Sequence, residues 1–472
     1  MSPLFILSAW LRGLIAVGLI ALAVYAGREA YQRSLVIRDE PRTVNGQEVR
    51  QPVQRFEFRP GLNVPTALLA TTVLIAFWQL GGGLWVSRLV LAKRRSAAAS
   101  DAGDKAGQRG APSDLTHRRR AWREHRQIHQ PDGTQTCIQI DSAAGNDAPT
   151  LVFAHGWGAD ATEWNPIRAR LSGQFRLIAY DAAGLGDTSR TPDRAYTLPR
   201  LADHLLGVLR ETLPAGRRAV LIGHSIGSMT ILEFARRHPA EFAARVAGVC
   251  LAHGTYTNPL RTMKGHSILT KIQKPLIEPL LYATIALSPL LWALNWLSYL
   301  NGSAHRSAHR SGFSGGETRD QLDFVAWYYT QASPAVTARG TLGMLHWDAA
   351  DALPLVTRPA LIVAGGRDTT TLPDASRHMN AVIAGSTLHE LSPAKHFGLI
   401  EFDATFTDRL SEFAGAALGD AATAPAPVPP RDRPASAYPP GAQDARDRAG
   451  DGKLTPEGTP DRFRSDVRGD DA

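Results

Sequence analysis

The sequence predicts an α/β protein in which a mostly parallel sheet, covered by helices, follows a membrane-spanning N-terminal region. Two observations predict this fold. Between residues 121 and 416, short apolar runs alternate with helical patterns, which is typical of parallel sheets. Upstream, Pro60 to Ser87 contains no charged residue and is long enough to cross a bilayer. Several of the apolar runs end in Ser, Asp or His, which predicts reactive groups at the carboxyl edge of the sheet.

The charge distribution assigns the basic character of the chain to its N-terminal part. The 472 residues carry a net charge of +8, and residues 1–130 hold 19 Lys and Arg against 9 Asp and Glu. A basic flank beside apolar helices is typical of a membrane protein, and no nucleic-acid-binding motif is present, so no nucleic-acid partner is expected. Cys137 and Cys250 have neither metal nor disulfide spacing. The sequence implies no metal and no organic cofactor.

Residues 1–95 are interpreted as a membrane anchor with two transmembrane helices, at about 4–26 and 62–90. The second follows from the uncharged run and from the basic cluster Lys93-Arg94-Arg95 behind it. The first is interrupted by Arg12, so a cleaved signal peptide is its alternative. The basic cluster and the sparse cysteines favour a plasma-membrane protein whose large domain lies on the cytoplasmic side.

Composition marks the remaining boundaries. Residues 96–120 are rich in Ala, Gly, Ser and Asp and are expected to form a linker, whereas 417–472 are rich in Pro, Gly, Asp and Arg and are expected to form a disordered tail. The folded domain is therefore expected at 121–416. The tandem SAHR of residues 303–310 is interpreted as a solvated loop, with metal binding by His305 and His309 as the alternative.

A serine at a sharp turn is the candidate nucleophile. Ser225 lies in the run GHSIG, between an apolar strand pattern and a helical pattern, and the flanking glycines leave room for a strained backbone. Its hydroxyl needs a base, and the base needs a carboxylate to orient it. Asp368 ends a later strand pattern and His396 follows the last one, so we assign His396 as general base and Asp368 as its orienting acid, ahead of rivals such as Asp348.

Two backbone N–H groups are candidate donors to an oxyanion. Acyl transfer requires such donors, because negative charge develops on the carbonyl oxygen in the transition state. Trp157 follows the strand pattern TLVFA within the run HGWG, and Ile226 follows the nucleophile. We expect the N–H groups of Trp157 and Ile226 to form the oxyanion hole.

Five motifs in this order, HGWG, YDAAGLGDTS, GHSIG, GGRD and KHFGLIE, resemble those of the α/β-hydrolase superfamily over about residues 130–415. The resemblance implies an eight-stranded sheet with a helical cap inserted after the sixth strand and a Ser-His-Asp mechanism. It also implies structural roles for Asp181 and His224. Relatives with an aspartate nucleophile are poor analogues, because position 225 is Ser.

The expected function is that of a membrane-anchored serine hydrolase acting on a small-molecule or lipid ester. The triad alone leaves acyltransferase, perhydrolase and carbon–carbon bond hydrolase activities open. A non-catalytic, membrane-tethered binding module is the alternative from another class. The sequence contains no indication of the oligomeric state.

A further uncharged run, Leu280 to Leu300, raises the question of a third membrane span. A single crossing there would separate the nucleophile from the other two triad residues, so we assign the run to the cap, at about 255–345. Pro289 and Asn295 are expected to divide it into two helical pieces. Two interpretations stay open: a cap buried on the main domain, or an interfacial lid whose apolar surface lies on the bilayer.

Overall fold

The computed structural model describes residues 3–45, 47–87, 89–90 and 122–420. The expected linker at 96–120 lies outside these ranges. So does the expected tail, apart from residues 417–420, which form the end of the last helix.

The N-terminal region consists of two long apolar helices joined by an antiparallel hairpin. Its elements are α1 (Pro3–Gln32), β1 (Leu35–Val44), β2 (Gln47–Phe56) and α2 (Val64–Phe77). Asn63 caps α2 by accepting a hydrogen bond from the Thr66 N–H, and a π-helical turn, Trp78–Gly82, continues it. By length and composition, Ser8–Gln32 and Val64–Ser87 could each cross a membrane. The hairpin was not predicted, because its many charged residues leave little hydrophobic periodicity.

The centre of the fold is an eight-stranded sheet with the order β10-β9-β8-β7-β5-β6-β4-β3, in which β4 alone runs against the others. Its strands are β3 (Glu124–His129), β4 (Gln135–Asp141), β5 (Thr150–Ala154), β6 (Arg176–Tyr180), β7 (Ala219–His224), β8 (Val246–Ala252), β9 (Ala360–Gly365) and β10 (Ser386–Leu391). Strands β5, β7, β8 and β9 are buried along their whole length, as parallel strands covered on both faces should be. The predicted fold class is confirmed.

Helices cover both faces of the sheet. They are α3 (Asn165–Leu171), α4 (Leu198–Thr212), α5 (Ile226–Arg237) and α6 (Pro239–Arg245), with three further helices that follow β9 and β10. On one face α4 and α5 bury Leu205 and Phe234, and on the other the final helix buries Phe406 and Leu410. The carboxyl ends of the parallel strands therefore stand at one edge, between two packed layers.

A helical segment is inserted between β8 and β9, that is, after the sixth strand of the sheet. Its helices are α7 (His266–Ile272), α8 (Glu278–Ala286), α9 (Ser288–Leu300), α10 (Ser303–Gly312), α11 (Arg319–Gln331) and α12 (Pro334–Leu345). The chain bends by 95° between Ala286 and Ser288, which divides the uncharged run 280–300 into α8 and α9. Pro289 lies in the first turn of α9, whereas Asn295 lies inside that helix and does not break it.

The tandem SAHR forms helix α10, so its interpretation as a loop was wrong. A four-residue repeat nearly matches one helical turn and therefore keeps like residues on one face. Ala304 and Ala308 fall on the buried face. His305 Nε2 lies 2.8 Å from an oxygen of Asp323, and His309 is hydrogen-bonded to Glu317. Each histidine thus pairs with its own carboxylate, and the two do not share a metal position.

The two apolar N-terminal helices pack on the inserted helices. Trp10 Nε1 of α1 donates to Thr284 Oγ1 of α8 at 2.8 Å, and Asn301 Nδ2 donates to Gln79 Oε1, also at 2.8 Å. The backbones approach closely at Gly83, where a Cβ atom would lie 2.3 Å from the carbonyl oxygen of Asn301. The start of α1 and the end of the second apolar helix thus meet the inserted segment, and the hairpin joins the opposite ends of the two helices.

The chain resumes with α13 (Pro373–Val382), α14 (Gly398–Glu401) and α15 (Asp403–Asp420). The loop between β9 and α13 carries Asp368, and the loop between β10 and α14 carries His396. Both loops leave the carboxyl edge of the sheet beside the turn that follows β7.

Candidate active site

Ser225 lies at the turn between β7 and α5 in a strained backbone conformation. Its φ of 53° and ψ of −112° are unusual for a residue with a side chain and hold that side chain out from the sheet. The turn depends on its flanking glycines. A Cβ atom at Gly223 would lie 2.4 Å from the carbonyl carbon of Gly227, and one at Gly227 would lie 2.1 Å from the carbonyl oxygen of Ala154. Local packing therefore explains the glycines of the GHSIG motif.

The structure brings the three predicted triad residues together. Ser225 Oγ lies 3.2 Å from His396 Nε2, and His396 Nδ1 lies 2.8 Å from Asp368 Oδ2. Both distances fall within hydrogen-bond range for a nucleophile, base and orienting acid. These side chains are 171 and 28 residues apart in the sequence, so only the sheet edge can assemble them. Their catalytic roles remain predictions.

Asp368 is held by several donors besides His396. Its Oδ1 accepts the N–H groups of Thr370 at 2.7 Å and Thr371 at 3.1 Å, and its Oδ2 accepts the Thr371 hydroxyl at 2.9 Å. Burial disfavours the charged carboxylate, but the neighbouring His396 and His253 outweigh burial and hold the pKa of Asp368 well below its usual range. Asp368 is thus a fixed anion that can accept the Nδ1–H of His396.

His253 is a buried residue of this site that the sequence analysis missed. Its Nδ1 lies 3.5 Å from Asp368 Oδ2, and its side chain is fully buried. Burial lowers the pKa of His253 to about 4, although Asp368 opposes the shift. His253 is therefore a neutral ring beside the triad at physiological pH. It belongs to no recognisable motif, which is why the sequence did not identify it.

Glu163 is a second buried residue that was missed, and it connects two loops of the site. Its Oε2 accepts the Gly156 N–H at 2.7 Å, while its Oε1 lies 2.9 Å from His224 Nδ1. His224 Nε2 lies 3.0 Å from the carbonyl oxygen of His396. One carboxylate thus connects the loop that carries Trp157 to the loop that carries His396. Glu163 lies in a short 3₁₀ turn, where no sequence pattern singled it out.

Of the two predicted oxyanion donors, one is adjacent to the nucleophile in the chain and the other lines the same cavity. Ile226 is the first residue of α5, directly after Ser225, and Trp157 lies three residues beyond β5 and lines the same cavity as Ser225. The Trp157 indole donates from Nε1 to the Thr337 carbonyl oxygen at 2.9 Å. It packs so closely on α12 that a Cβ atom at Gly340 would lie 1.9 Å from the ring. The side chain fixes the loop whose N–H is the candidate donor.

The cavity at Ser225 has a volume of about 210 Å³. Its walls include the aromatic side chains Trp157, Tyr328, Tyr329 and Phe397, which suit an acyl chain or another apolar group. Ser8 of α1 also lines it, so the first apolar helix contributes to the wall of the site. The sequence could not indicate this contribution, because Ser8 lies in an apolar run without a catalytic motif.

One group of side chains has a spacing compatible with a metal ion. Potential ligand atoms of Cys137, Asp181 and Asp187 all lie within 4.8 Å of one another. However, Asp181 Oδ1 accepts the N–H of Ala161 at 2.7 Å and its Oδ2 accepts the N–H of Asp187 at 2.8 Å. The Asp181 carboxylate is therefore used to shape its turn, in agreement with the structural role that the resemblance implied. None of the three lines the cavity at Ser225.

Comparison with known proteins identifies related sequences and folds. The sequence model of the Alpha/beta hydrolase family matches residues 151–409, more than half of the chain. The chain is 35% identical over 102 residues to a 2-(acetamidomethylene)succinate hydrolase of Mesorhizobium japonicum, a match that covers 22% of this chain and 36% of that protein. It is 31% identical over 91 residues to a pimeloyl-[acyl-carrier protein] methyl ester esterase of Aeromonas hydrophila, covering 19% and 34%.

Among solved structures, a hydrolase from Pseudomonas aeruginosa PA01 superimposes with a TM-score of 0.50 at 22% sequence identity, covering 62% of this chain and 98% of that one. This similarity reflects the fold alone. The chain spans only about a third of the length of the curated relatives that it matches.

Proposed function

The chain belongs to the α/β-hydrolase family, and we propose that it is a membrane-anchored serine hydrolase that cleaves carboxylic esters through an acyl-enzyme. The observation that carries this proposal is the continuous line of hydrogen bonds from Ser225 Oγ through His396 to the buried anion Asp368, beside an apolar cavity. A serine hydroxyl needs such a base to become nucleophilic near neutral pH.

The proposed reaction proceeds in two stages. His396 Nε2 takes the proton of Ser225 as its oxygen attacks the ester carbonyl carbon, and the N–H groups of Trp157 and Ile226 stabilise the oxyanion. His396 then gives the proton to the departing alcohol, which leaves the acyl group on Ser225. A water molecule deprotonated by His396 attacks this acyl-enzyme, and His396 returns the proton to Ser225 Oγ as the carboxylic acid is released. Asp368 orients the imidazole and stabilises its charged form throughout.

The membrane anchor is proposed from the two apolar helices. Leu14 on α1 is 63% exposed and Leu74 on α2 is 66% exposed, so without lipid both helices would present large apolar surfaces to water. Residues 1–95 would form the anchor, 121–416 the catalytic domain and about 255–345 its cap. Since the start of α1 and the end of the second helix face the same inserted segment, the catalytic domain would lie on the side of the N-terminus. The basic run Lys93-Arg94-Arg95 supports the cytoplasmic side of the plasma membrane.

The inserted helices combine features of a packed cap and of an interfacial lid. On one side of α8 and α9, Leu281 and Leu291 are buried. On the other side Tyr282 is 59% exposed and Leu290 is 53% exposed. We propose that this exposed side lies on the bilayer, which would bring the cavity close to lipid esters.

A covalent probe tests the proposal. The full chain, solubilised in a neutral detergent, should react with a fluorophosphonate and should hydrolyse esters from a series of increasing acyl length. Ser225→Ala should abolish both, whereas Ser411→Ala, on the surface of α15, should preserve both. Labelling that survives in Ser225→Ala, or hydrolysis within about tenfold of wild type, would contradict the assignment, since losing a triad nucleophile costs several orders of magnitude. A chain that does not react at all would instead favour the non-catalytic binding module.

A further inference from the structure

A second cavity with basic walls adjoins the cavity at Ser225. Its volume is about 370 Å³, and three arginines and four serines line it. Ser8, Ser307 and Ser311 line both cavities, so the two share a wall. None of the seven described residues around the second cavity carries a carboxylate. The proposed ester hydrolysis does not account for this concentration of positive charge.

The basic wall originates in two features of the sequence. The tandem SAHR repeat, folded as α10, puts Arg306 and Arg310 one helical turn apart on the face opposite the buried alanines. Arg12, the residue that interrupts the first apolar run, approaches from α1. Its Nη1 donates to Ser8 Oγ at 2.5 Å and to Ser307 Oγ at 3.0 Å, and these bonds hold the guanidinium in the wall.

Arg306 and Arg310 form no ion pair with any residue in the part of the chain that the structure describes. Arg306 lies with its Cζ 5.6 Å from the centroid of the Trp78 ring, and both Arg306 and Arg310 are exposed to solvent. Like charges gathered without a counter-ion repel one another, so an anion that bridges them would be bound favourably. Guanidinium groups match the geometry of phosphate, since their paired N–H groups can contact two of its oxygens.

The position of the cavity also suits a phosphate carried by a lipid. Arg12 lies near the start of the first candidate span, Ser8–Gln32, and Trp78 lies in the second half of the second, Val64–Ser87. The cavity therefore lies towards the end of the helix pair that meets the inserted segment, where the phosphate groups of a bilayer would be found.

We propose that this cavity binds a phosphate group, and that the ester cleaved at Ser225 belongs to a phosphate-bearing molecule, either a glycerophospholipid or a smaller phosphate ester. This inference rests on the proposed function. The phosphate would contact Arg12, Arg306 and Arg310 while the acyl ester reaches Ser225 past the shared serines. The basic cavity would act on substrate binding and selection, and the triad on the chemistry.

Binding is measured first, because it does not depend on turnover. The full-length Ser225→Ala protein in neutral detergent micelles is titrated by calorimetry with 1-acylglycerol 3-phosphate and with the uncharged 1-acylglycerol of the same chain length. We expect the phosphate ester to bind at least about tenfold more tightly, since charge-assisted hydrogen bonds exceed neutral ones. Adding Arg306→Gln and Arg310→Gln should reduce the ratio of the two affinities to near one. Arg319→Gln, which removes an exposed arginine outside the cavity, should preserve the ratio.

Turnover by the full chain with Ser225 intact then identifies the source of the phosphate. Long-chain and short-chain pairs of the same esters are compared by kcat/KM. A preference for phosphate with long chains only indicates a lipid headgroup, and an equal preference with short chains indicates a water-soluble phosphate ester. Equal affinity for charged and uncharged esters would overturn the inference. If the uncharged ester were still hydrolysed in that case, the proposed hydrolase function would stand. If the phosphate ester bound more tightly than the uncharged ester but neither was hydrolysed, the hydrolase assignment would fail instead.

Discussion

Replacing Asp368 by Asn should inactivate the enzyme without unfolding it. The two backbone N–H donors at Oδ1 cannot turn away, so the carbonyl oxygen of the amide must occupy that position and its NH₂ group must occupy that of Oδ2. The NH₂ group then donates to His396 Nδ1, 2.8 Å away in the native protein, and leaves the ring proton on Nε2. Nε2 would donate to Ser225 instead of accepting its proton. We expect kcat to fall on the order of 10⁴-fold, equivalent to about 5 kcal/mol in activation free energy.

The stability cost should be small by comparison. Thr371 can redirect its hydroxyl to the carbonyl oxygen of His253, which it already contacts at 2.9 Å, so no buried donor is orphaned. Hydrolysis of a short soluble ester and thermal unfolding, both measured in micelles, separate the two effects. Asp348→Asn is the matched control, because Asp348 was the rival acid and contacts Thr257 and Arg261 instead. Activity of Asp368→Asn within about tenfold of wild type, or a large loss in Asp348→Asn, would show that Asp368 does not orient His396.

Three further predictions address the buried network, acid stability and the cap. Glu163→Ala should lower the unfolding free energy by about 2 to 5 kcal/mol, because it leaves the Gly156 N–H and a ring nitrogen of His224 without hydrogen-bond partners. Glu163→Gln should retain most of the wild-type stability in thermal unfolding, since its side-chain amide can bond to both of these groups. Burial lowers the pKa of His253 from 6.5 to about 4, so the unfolded chain binds a proton at this residue before the folded protein does as the pH falls. Between pH 7 and 5 the wild type should therefore lose about 2 kcal/mol of unfolding free energy that His253→Asn does not lose, and equal losses in the two proteins would contradict this. Replacing Leu290 by Ser should lower kcat/KM for long-chain esters presented in vesicles while sparing short soluble ones, and a uniform loss would indicate a structural defect.

The parts of the fold that could be predicted were those where one physical requirement dominates. Strands β5, β7, β8 and β9 are largely apolar runs, because burial on both faces requires it. Strand β3 reads EHRQIH and pairs on one side only, at the edge of the sheet, so its pattern carries little signal. The SAHR repeat looked polar enough for a loop, but its period of four matches a helix that buries Ala304 and Ala308.

The triad was more predictable than its surroundings for a similar reason. Ser225, Asp368 and His396 each follow a strand and fall in the order that this chemistry uses, so motif and position agree. Glu163 and Ser8 approach the site through tertiary packing. The contribution of α1 in particular depends on the contact of this apolar helix with the inserted helices, which no local pattern encodes. Deleting residues 1–95 would therefore open the cavity wall.

Acylation of Ser225 by an ester can be observed directly by trapping the adduct. The full chain would be mixed with an activated ester, quenched in acid within the first turnover and analysed by peptide mass spectrometry. We expect a mass increase equal to the acyl group on the peptide that contains Ser225, which disappears as the substrate is consumed and is absent in Ser225→Ala. Steady ester hydrolysis with no adduct at any quench time, or an adduct on a different residue, would contradict it.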